Sequence, residues 1–445
     1  MRIVIAGAGD VGTHLAKLLS GESQDITLID ESQDKLGGLD SNFDLLAVTA
    51  SPTSIRDLKE AEAGKADLFV AVTPDESRNI VACQLAHNLG AQKTLARVDN
   101  YEYLMPKARE FFTSTGVDSL IYPEMLAAKD IVDGMRQSWI RQWWEFAEGT
   151  LVMIGVKLRE NAEILNVPLY ALGTGRPYHI VAIVRNNETI IPGGSDTIYA
   201  GDMVYFMANK KDIPLIRRIA GKEELPDIRD VIIMGGSRIA IRAAQIMPEN
   251  VNVKIIERDR ARCNWLTEML SSRVMVINGD GRDPSLLMSE GIDHTEAFIA
   301  LTDSAETNIL ACVAAKRFGV TKTIAEVENI DYITMAEKLD IGTVINKKKI
   351  AASHIYQMML DADVSNVKCL TFASAEVAEF IVKRGARVTR NCVKDLSLPR
   401  GATIGGLIRG HEGILVSGDT QIQEGDHVVV FCLDGMIRKL EKYFN

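Results

Sequence analysis

The sequence predicts an α/β protein with two doubly wound parallel sheets, each followed by a small α+β domain, and three observations carry that prediction. An apolar β-branched run, Arg2-Ile3-Val4-Ile5-Ala6, passes straight into Gly7-Ala8-Gly9-Asp10-Val11-Gly12, an amphipathic segment, and a second apolar run, Asp25-Ile26-Thr27-Leu28-Ile29-Asp30. Strand-like and helix-like segments then alternate as far as Tyr122. The whole pattern returns further along the chain, with Gly7, Asp30 and Thr73 matched by Gly235, Glu257 and Thr302 at nearly constant offset.

The opening stretch is the strand-turn-helix-strand fingerprint of a dinucleotide site. Gly7 permits the tight turn off the strand, Gly9 lets backbone approach a pyrophosphate, and Gly12 lets the helix pack closely on the sheet. The anion then sits at the positive end of the helix. Asp30 closes the second strand, where its carboxylate can accept hydrogen bonds from a ribose and repel a 2′-phosphate, so the pocket favours NAD over NADP. After Asp30, strands are expected at Leu45–Val48, Leu68–Val72, Thr94–Val98 and Ser119–Tyr122, with helices at Ser54–Ala63, Ser77–Leu89 and Tyr103–Ser114. Six strands alternating with helices imply a Rossmann sheet whose crevice lies at the strands' carboxyl ends, placing Asp30, Thr73, Asp75 and Arg97 on one rim.

A long helix is expected from Glu124 to Phe146, with Trp139, Trp143 and Trp144 forming an aromatic seam that packs it onto the next domain or a second subunit. Short β segments follow from Gly149, split by Asn186-Asn187, Gly193-Gly194 and Ala200-Gly201, with a closing helix at Lys211–Ala220. Val231 to Ala240 and Val253 to Glu257 then restate the opening, and Ala200-Gly201-Asp202-Met203-Val204-Tyr205-Phe206 is restated by Glu424-Gly425-Asp426 to Phe431. The chain is therefore a tandem duplication. Its expected domains are a first Rossmann domain at 1–123, a connecting helix at 124–148 and a first small domain at 149–222. The second copy is a Rossmann domain at 228–347, a connecting helix at 348–366 and a small domain at 367–445.

The copies differ at the turn. Ser237 replaces the middle glycine, crowding the approach to phosphate, and Ala240 replaces the last. Glu257 keeps the acidic partner. Arg97, a candidate phosphate or carboxylate clamp, is matched by Glu326, which would repel a pyrophosphate. The first pocket is expected to bind nucleotide well and the second weakly, differently or not at all. Asp280, in Gly279-Asp280-Gly281, could contact a ribose or simply serve the turn.

Composition narrows the function classes. A net charge of −10, with both halves acidic, argues against nucleic acid. The basic run Lys347-Lys348-Lys349 reads as a solvated helix start, with contact to an anionic surface as the lesser alternative. Six scattered cysteines without a C-x-x-C pair fit reduced, mostly buried thiols and offer no metal-site spacing. Met1-Arg2 leads at once into a strand, so no signal peptide is expected, and no apolar run is long enough to span a bilayer. No catalytic residues are expected: none of the seven histidines, His14 and His427 included, makes a telling motif with a carboxylate, and no nucleophile elbow or Walker lysine occurs. A nucleotide site without acid–base partners reads as a sensor.

Gly7 to Gly12, Ile26 to Asp30, Leu68 to Thr73 and Asn79 to Cys83, all repeated and each copy backed by a Gly-Asp-centred β-rich domain, resemble over the whole chain the cytosolic NAD-binding regulatory subunits of the bacterial Trk potassium uptake system, which carry tandem RCK (regulator of potassium conductance) units. The resemblance implies a cytoplasmic protein, peripheral on the inner face of the cell membrane. It implies a homo-oligomeric ring, commonly a tetramer, under an integral-membrane potassium transporter subunit of the TrkH or TrkG kind, gated by NAD(H) or by ATP or ADP. It maps the cofactor-binding residues onto Gly7, Ala8, Gly9, Asp10, Val11, Asp30, Thr73, Pro74 and Arg97, beside Gly12 of the turn, and onto Gly235, Gly236, Ser237, Arg238, Ile239, Glu257 and Thr302. The competing readings are an RCK-type regulator of another cation transporter, such as an antiporter, and an NAD-dependent oxidoreductase.

Overall fold

The computed structural model describes residues 1–20, 24–37, 39, 43–146, 149–173, 175–186, 188–359, 364–369, 375–433 and 436–445. They form two compact units, 1–126 with 347–361, and 127–346 with 362–445.

The first unit is built on a six-stranded parallel sheet: β1 (Arg2–Ala6), β2 (Asp25–Asp30), β3 (Leu46–Thr49), β4 (Leu68–Ala71), β5 (Thr94–Arg97) and β6 (Ser119–Ile121). Their order is β3-β2-β1-β4-β5-β6. β1 after Arg2 and the whole of β4 are apolar because helices cover both faces of a parallel sheet, and both strands are buried along nearly their whole length. The order reverses between β1 and β4, which opens the ligand crevice there. Helix Lys347–Met359 belongs to this unit and packs on helix Asp10–Ser20. The basic run does open a helix, but the solvated reading is corrected: the Lys348 side chain is only 15% exposed, with Nζ 2.7 Å from Asp10 Oδ2.

The second unit begins with an antiparallel sheet. Its strands are β7 (Gln142–Phe146), β8 (Leu151–Lys157), β9 (Tyr178–Arg185), β10 (Glu188–Ile190) and β11 (Met203–Asn209), in the order β10-β9-β11-β8-β7. The expected helix to Phe146 is shorter: it runs over Pro123–Met135, and 142–146 form an edge strand on β8. Period-two alternation is the reason, since Trp144 and Phe146 pack into one core while Trp143 packs into the core on the opposite face. The expected Asn186-Asn187 turn lies partly outside the described residues.

The second parallel sheet has β12 (Asp230–Met234), β13 (Asn252–Glu257), β14 (Val274–Asn278), β15 (Ala297–Ala300), β16 (Lys322–Glu326) and β17 (Thr343–Ile345), ordered β14-β13-β12-β15-β16-β17. The second small sheet has β18 (Val364–Cys369), β19 (Ala375–Ile381), β20 (Ala402–Arg409), β21 (Glu412–Leu415) and β22 (His427–Leu433), ordered β18-β19-β22-β20-β21. The connecting helix expected to reach residue 366 ends at Met359; 360–363 lie outside the described residues, and 364–366 already belong to β18. The two small sheets meet face to face at Gly405-Gly406. Side chains there would press within 2.9 Å of Val181 Cγ1 and Leu151 Cδ1.

The repeated Gly-Asp element is a structural lock. Asp202, buried, accepts a two-pronged bond from Arg185 at 2.9 and 2.7 Å and caps its own turn through Tyr199 N at 2.8 Å. Asp426 repeats this with Arg409 at 2.8 and 2.7 Å and Gln423 N at 2.8 Å.

Candidate functional site: two clefts at the carboxyl ends of the parallel sheets

In the first sheet the chain leaves β1 through Gly7, whose φ of +110° only glycine takes without strain. A methyl at Gly12 would overlap the carbonyl oxygen of Gly7, so this glycine sets how closely the helix lies on the turn. Gly9 is different: a methyl built there meets nothing within 4 Å, and its φ is not among the positive ones. The fold requires two of the three glycines; the middle one leaves an open place over the helix start.

Asp30 holds this turn. Its Oδ2 accepts Ala8 N at 2.8 Å and its Oδ1 accepts Ser32 N at 2.9 Å, with Lys35 Nζ at 3.7 Å. Each carboxylate oxygen keeps a second lone pair for a ligand hydroxyl. Thr73 is occupied by the fold: its amide and hydroxyl donate to Asn79 Oδ1 at 2.9 and 2.7 Å. Asn79, 1% exposed, donates back to the carbonyls of Thr73 and Arg97 at 3.0 and 2.9 Å, tying β4 to β5 across the rim. Asp75 caps the following helix through Ser77 N at 2.8 Å. Arg97 is not a free clamp; its guanidinium lies 3.3 Å from Asp99 and 3.8 Å from Glu124, although its buried Nε has no hydrogen-bond partner.

A strap crosses the mouth of this crevice. Glu31, next to Asp30, meets Arg78 of helix Glu76–Leu89 at 2.5 Å and Ser51 Oγ at 2.6 Å. The Arg78 bond, then that of Ser51, hold the Glu31 carboxyl below its ordinary range.

The second sheet repeats the frame. Gly235 has φ +98°, Glu257 Oε2 accepts Gly236 N at 2.8 Å, and Oε1 accepts Asp259 N at 2.8 Å. Asn308, 0% exposed, repeats the tie between Thr302 and Glu326. Ser237 is expected to crowd the cleft, yet its hydroxyl turns back to cap the helix, accepting Ala240 N at 3.3 Å. Here the strap is missing because Arg258 and Thr307 stand where Glu31 and Arg78 stand in the first copy, and a cleft of about 770 Å³ opens between them. Arg258, Arg262 and Arg282 line it beside Glu257, Asp259 and Asp280. Arg262 donates to Gly236 O at 3.0 and 2.9 Å, and lies 4.3 Å over the Trp265 ring. Asp280 serves its turn: the two-pronged bond from Arg282 holds its carboxyl at about 2. Glu326 is 6% exposed and lies at the end of β16.

Sequence reasoning missed the strap and the three arginines. A residue-by-residue alignment of the two copies shows the strap and Arg258, because Glu31 against Arg258 and Arg78 against Thr307 are charge changes on a constant frame; Arg262 falls against Lys35 and gives no such signal. Among the described residues no cluster of His, Cys, Asp and Glu could hold a metal, and no helix is long and apolar enough to cross a membrane.

Comparisons with known proteins agree with this duplicated frame. The TrkA-N domain family matches residues 3–123 and 231–347, and the TrkA-C domain family matches 153–221 and 377–445. The chain is 35% identical to the Trk system potassium uptake protein TrkA of Haemophilus influenzae, covering 100% of this chain and 98% of that protein. It is 34% identical to the Vibrio alginolyticus protein of the same name, over 98% and 96% of the two chains. Among solved structures, the RCK domain of GsuK covers 100% of this chain and 94% of its own, with a TM-score of 0.62 at 14% identity. The GsuK channel bound to NAD superposes with a TM-score of 0.60 at 15% identity, over 100% of this chain and 78% of that one. Two TrkA-N and two TrkA-C domains in alternation, with full-length identity above 30%, place this chain in the TrkA family of Trk system potassium uptake proteins.

Proposed function

We propose that the chain is a nucleotide-sensing regulatory subunit: it binds NAD(H), with ADP or ATP as competitors, at the carboxyl ends of its two parallel sheets and gates a membrane potassium transporter of the TrkH or TrkG kind. The observation that carries the ligand reading is Gly9, a glycine required neither by φ nor by packing, at the helix start where a pyrophosphate would lie. Gly7 to Val11 would cradle the phosphates and Asp30 the ribose. In the second cleft Gly235 to Ile239, with Arg258 and Arg282 at the mouth, would hold phosphates and Glu257 a ribose. Thr73, Pro74 and Thr302 would shape the floor, with Arg97 held by its own acids.

Regulation rather than turnover is supported by family membership and by the histidines. His14, nearest the first turn, faces a lysine-rich helix; burial, then Lys349, Lys17 and Lys348, depress it to about 4, so near neutral pH it is not the imidazolium a general acid would need. A cytoplasmic homo-oligomeric ring beneath the membrane partner would convert nucleotide occupancy into gating, with a coupling no larger than the difference in affinity between ring states.

The test is potassium flux through liposomes containing the co-purified membrane subunit and this chain, with and without NADH. Nucleotide-dependent flux lost in Asp30→Ala supports the reading. Oxidation of NADH by the chain with added oxo acids would instead favour the oxidoreductase, and co-purification with a different cation transporter would reassign the partner.

A further inference from the structure

A separate cleft, of about 420 Å³, lies within the second unit where the first small domain meets the second parallel sheet. Its lining includes Lys322 and Thr323 at the start of β16 and Gly342 just before β17, so it opens at the amino ends of the strands, opposite the nucleotide rim. Six lining side chains are Lys or Arg, namely Arg141, Lys157, Arg159, Lys222, Lys316 and Lys322, and none is Asp or Glu. Burial, then Arg141, bring Lys322 down to about 7 and its ammonium donates to Ile140 O, so the other five carry most of the charge.

One carboxylate behind the wall serves most of them. Asp340 lies 2.6 Å from Arg141, 3.3 Å from Lys316 and 4.0 Å from Lys157, and also pairs with Arg159. Although burial opposes its charge, Arg141, Lys316 and Arg159 hold Asp340 at about 2, so it stays an anion at any working pH. Glu337 is a second carboxyl near this cluster, pushed up by burial and drawn back down by Lys157 and Arg141. Burial, then Arg159 and Arg141, bring Lys222 down to about 8. Cations gathered in a partly dry cavity are held against their mutual repulsion, and an anion between them relieves it.

The cavity also says which anion. Its volume sits at the small end of the range for ligand pockets. Trp139, the one ring in the lining, is 5% exposed, which leaves no face for a base to stack on.

We propose that this cavity binds a compact phosphate-bearing anion of the diphosphate class, gripped by Arg159 and Lys222 from the first small domain and by Lys316 from the second parallel-sheet domain. Because the cations come from both sides, the anion stabilises the docked arrangement of the two domains by mass action. The site is distinct from both nucleotide clefts and does not depend on their assignment.

The test is a calorimetric titration of inorganic pyrophosphate into the full-length chain and its Lys222→Gln, Arg159→Gln, Asp30→Ala and Glu257→Ala variants. Saturable binding is expected, weakened at least about tenfold by each cavity substitution, as loss of a charged hydrogen bond requires, and kept in the two carboxylate variants. Affinity should fall as pH rises past 8, where Lys222, facing Arg141, Arg159, Lys316 and Asp340, gives up its proton. The outcome that overturns the site is any of three: no saturable binding, equal affinity in both cavity variants and wild type, or loss confined to the carboxylate variants. Among the described residues Lys222 makes no ion pair, so Lys222→Gln tests the site even where Arg159→Gln disturbs the Asp340 cluster.

Discussion

Replacing Gly9 and Gly12 separately by alanine divides what the turn does for the fold from what it does for a ligand. At Gly12 the new methyl would overlap Gly7 O, an oxygen fixed by the turn, and neither backbone has a flexible end to yield. Overpacking of this kind costs about 1–3 kcal/mol, and a backbone neighbour puts Gly12→Ala near the top of that range. At Gly9 the methyl meets nothing within 4 Å and the φ suits an L residue. Stability should therefore hold or rise by ~0.4–1 kcal/mol, because the unfolded chain loses freedom. Binding should suffer instead. Two backbone N–H bonds to phosphate at about 1.5 kcal/mol each, lost to a methyl in the approach, amount to about 3 kcal/mol, on the order of a hundredfold in Kd. Thermal unfolding and NADH calorimetry on both variants measure the two effects. Equal destabilisation of the two, or wild-type NADH affinity in Gly9→Ala, would refute the reasoning.

Removing the strap with Glu31→Ala should tighten nucleotide binding in the first cleft by no more than about fivefold, since an exposed ion pair is worth ~0–1 kcal/mol; unchanged or weaker binding by calorimetry counts against a gate. Asn308→Leu leaves the Thr302 amide and two carbonyls without their buried partner and should cost about 2–4 kcal/mol in urea unfolding. Asp202→Ala strips a 2%-exposed carboxylate from Arg185 and from the Tyr199 amide and should cost ~1–3 kcal/mol, since the arginine left behind is about a third exposed and can be solvated, with a similar loss for Asp426→Ala in the second small domain. His14 titrates near 4 in the folded chain against 6.5 unfolded, so the unfolded state binds the proton first. Stability should be unaffected above 6.5 and fall between there and 4, by at most about 3 kcal/mol, and His14→Gln should flatten that acid limb in a pH series of unfolding midpoints.

Much of the fold was legible because parallel strands buried on both faces leave continuous apolar runs, and because a duplicated chain states each element twice. Gly7, Gly235 and the carboxylates of Asp30 and Glu257 fell where the spacing put them. Local pattern failed where tertiary pairing won: residues 142–146 look helical when read on from Pro123, yet β8 supplies a partner strand and the tryptophans divide between two cores. The rim was legible as a set of positions and less so as roles. Thr73 and Thr302 turned out to face Asn79 and Asn308, and Arg97 is held by acids from neighbouring segments. Asp202 and Asp426 were visible as a repeated Gly-Asp pair, but their arginine partners lie 17 residues away on an adjoining strand, beyond any local motif. The Asp340 cluster joins residues nearly 200 positions apart and left no sequence signal at all.

The central claim is that the first turn and its carboxylate form the tighter of two nucleotide sites. Calorimetric titration of NADH, NAD and ATP into wild type, Asp30→Ala and Glu257→Ala tests it most directly. Asp30→Ala should remove the tighter binding event and Glu257→Ala leave it in place; loss of binding in Glu257→Ala with Asp30→Ala unchanged would contradict that ranking.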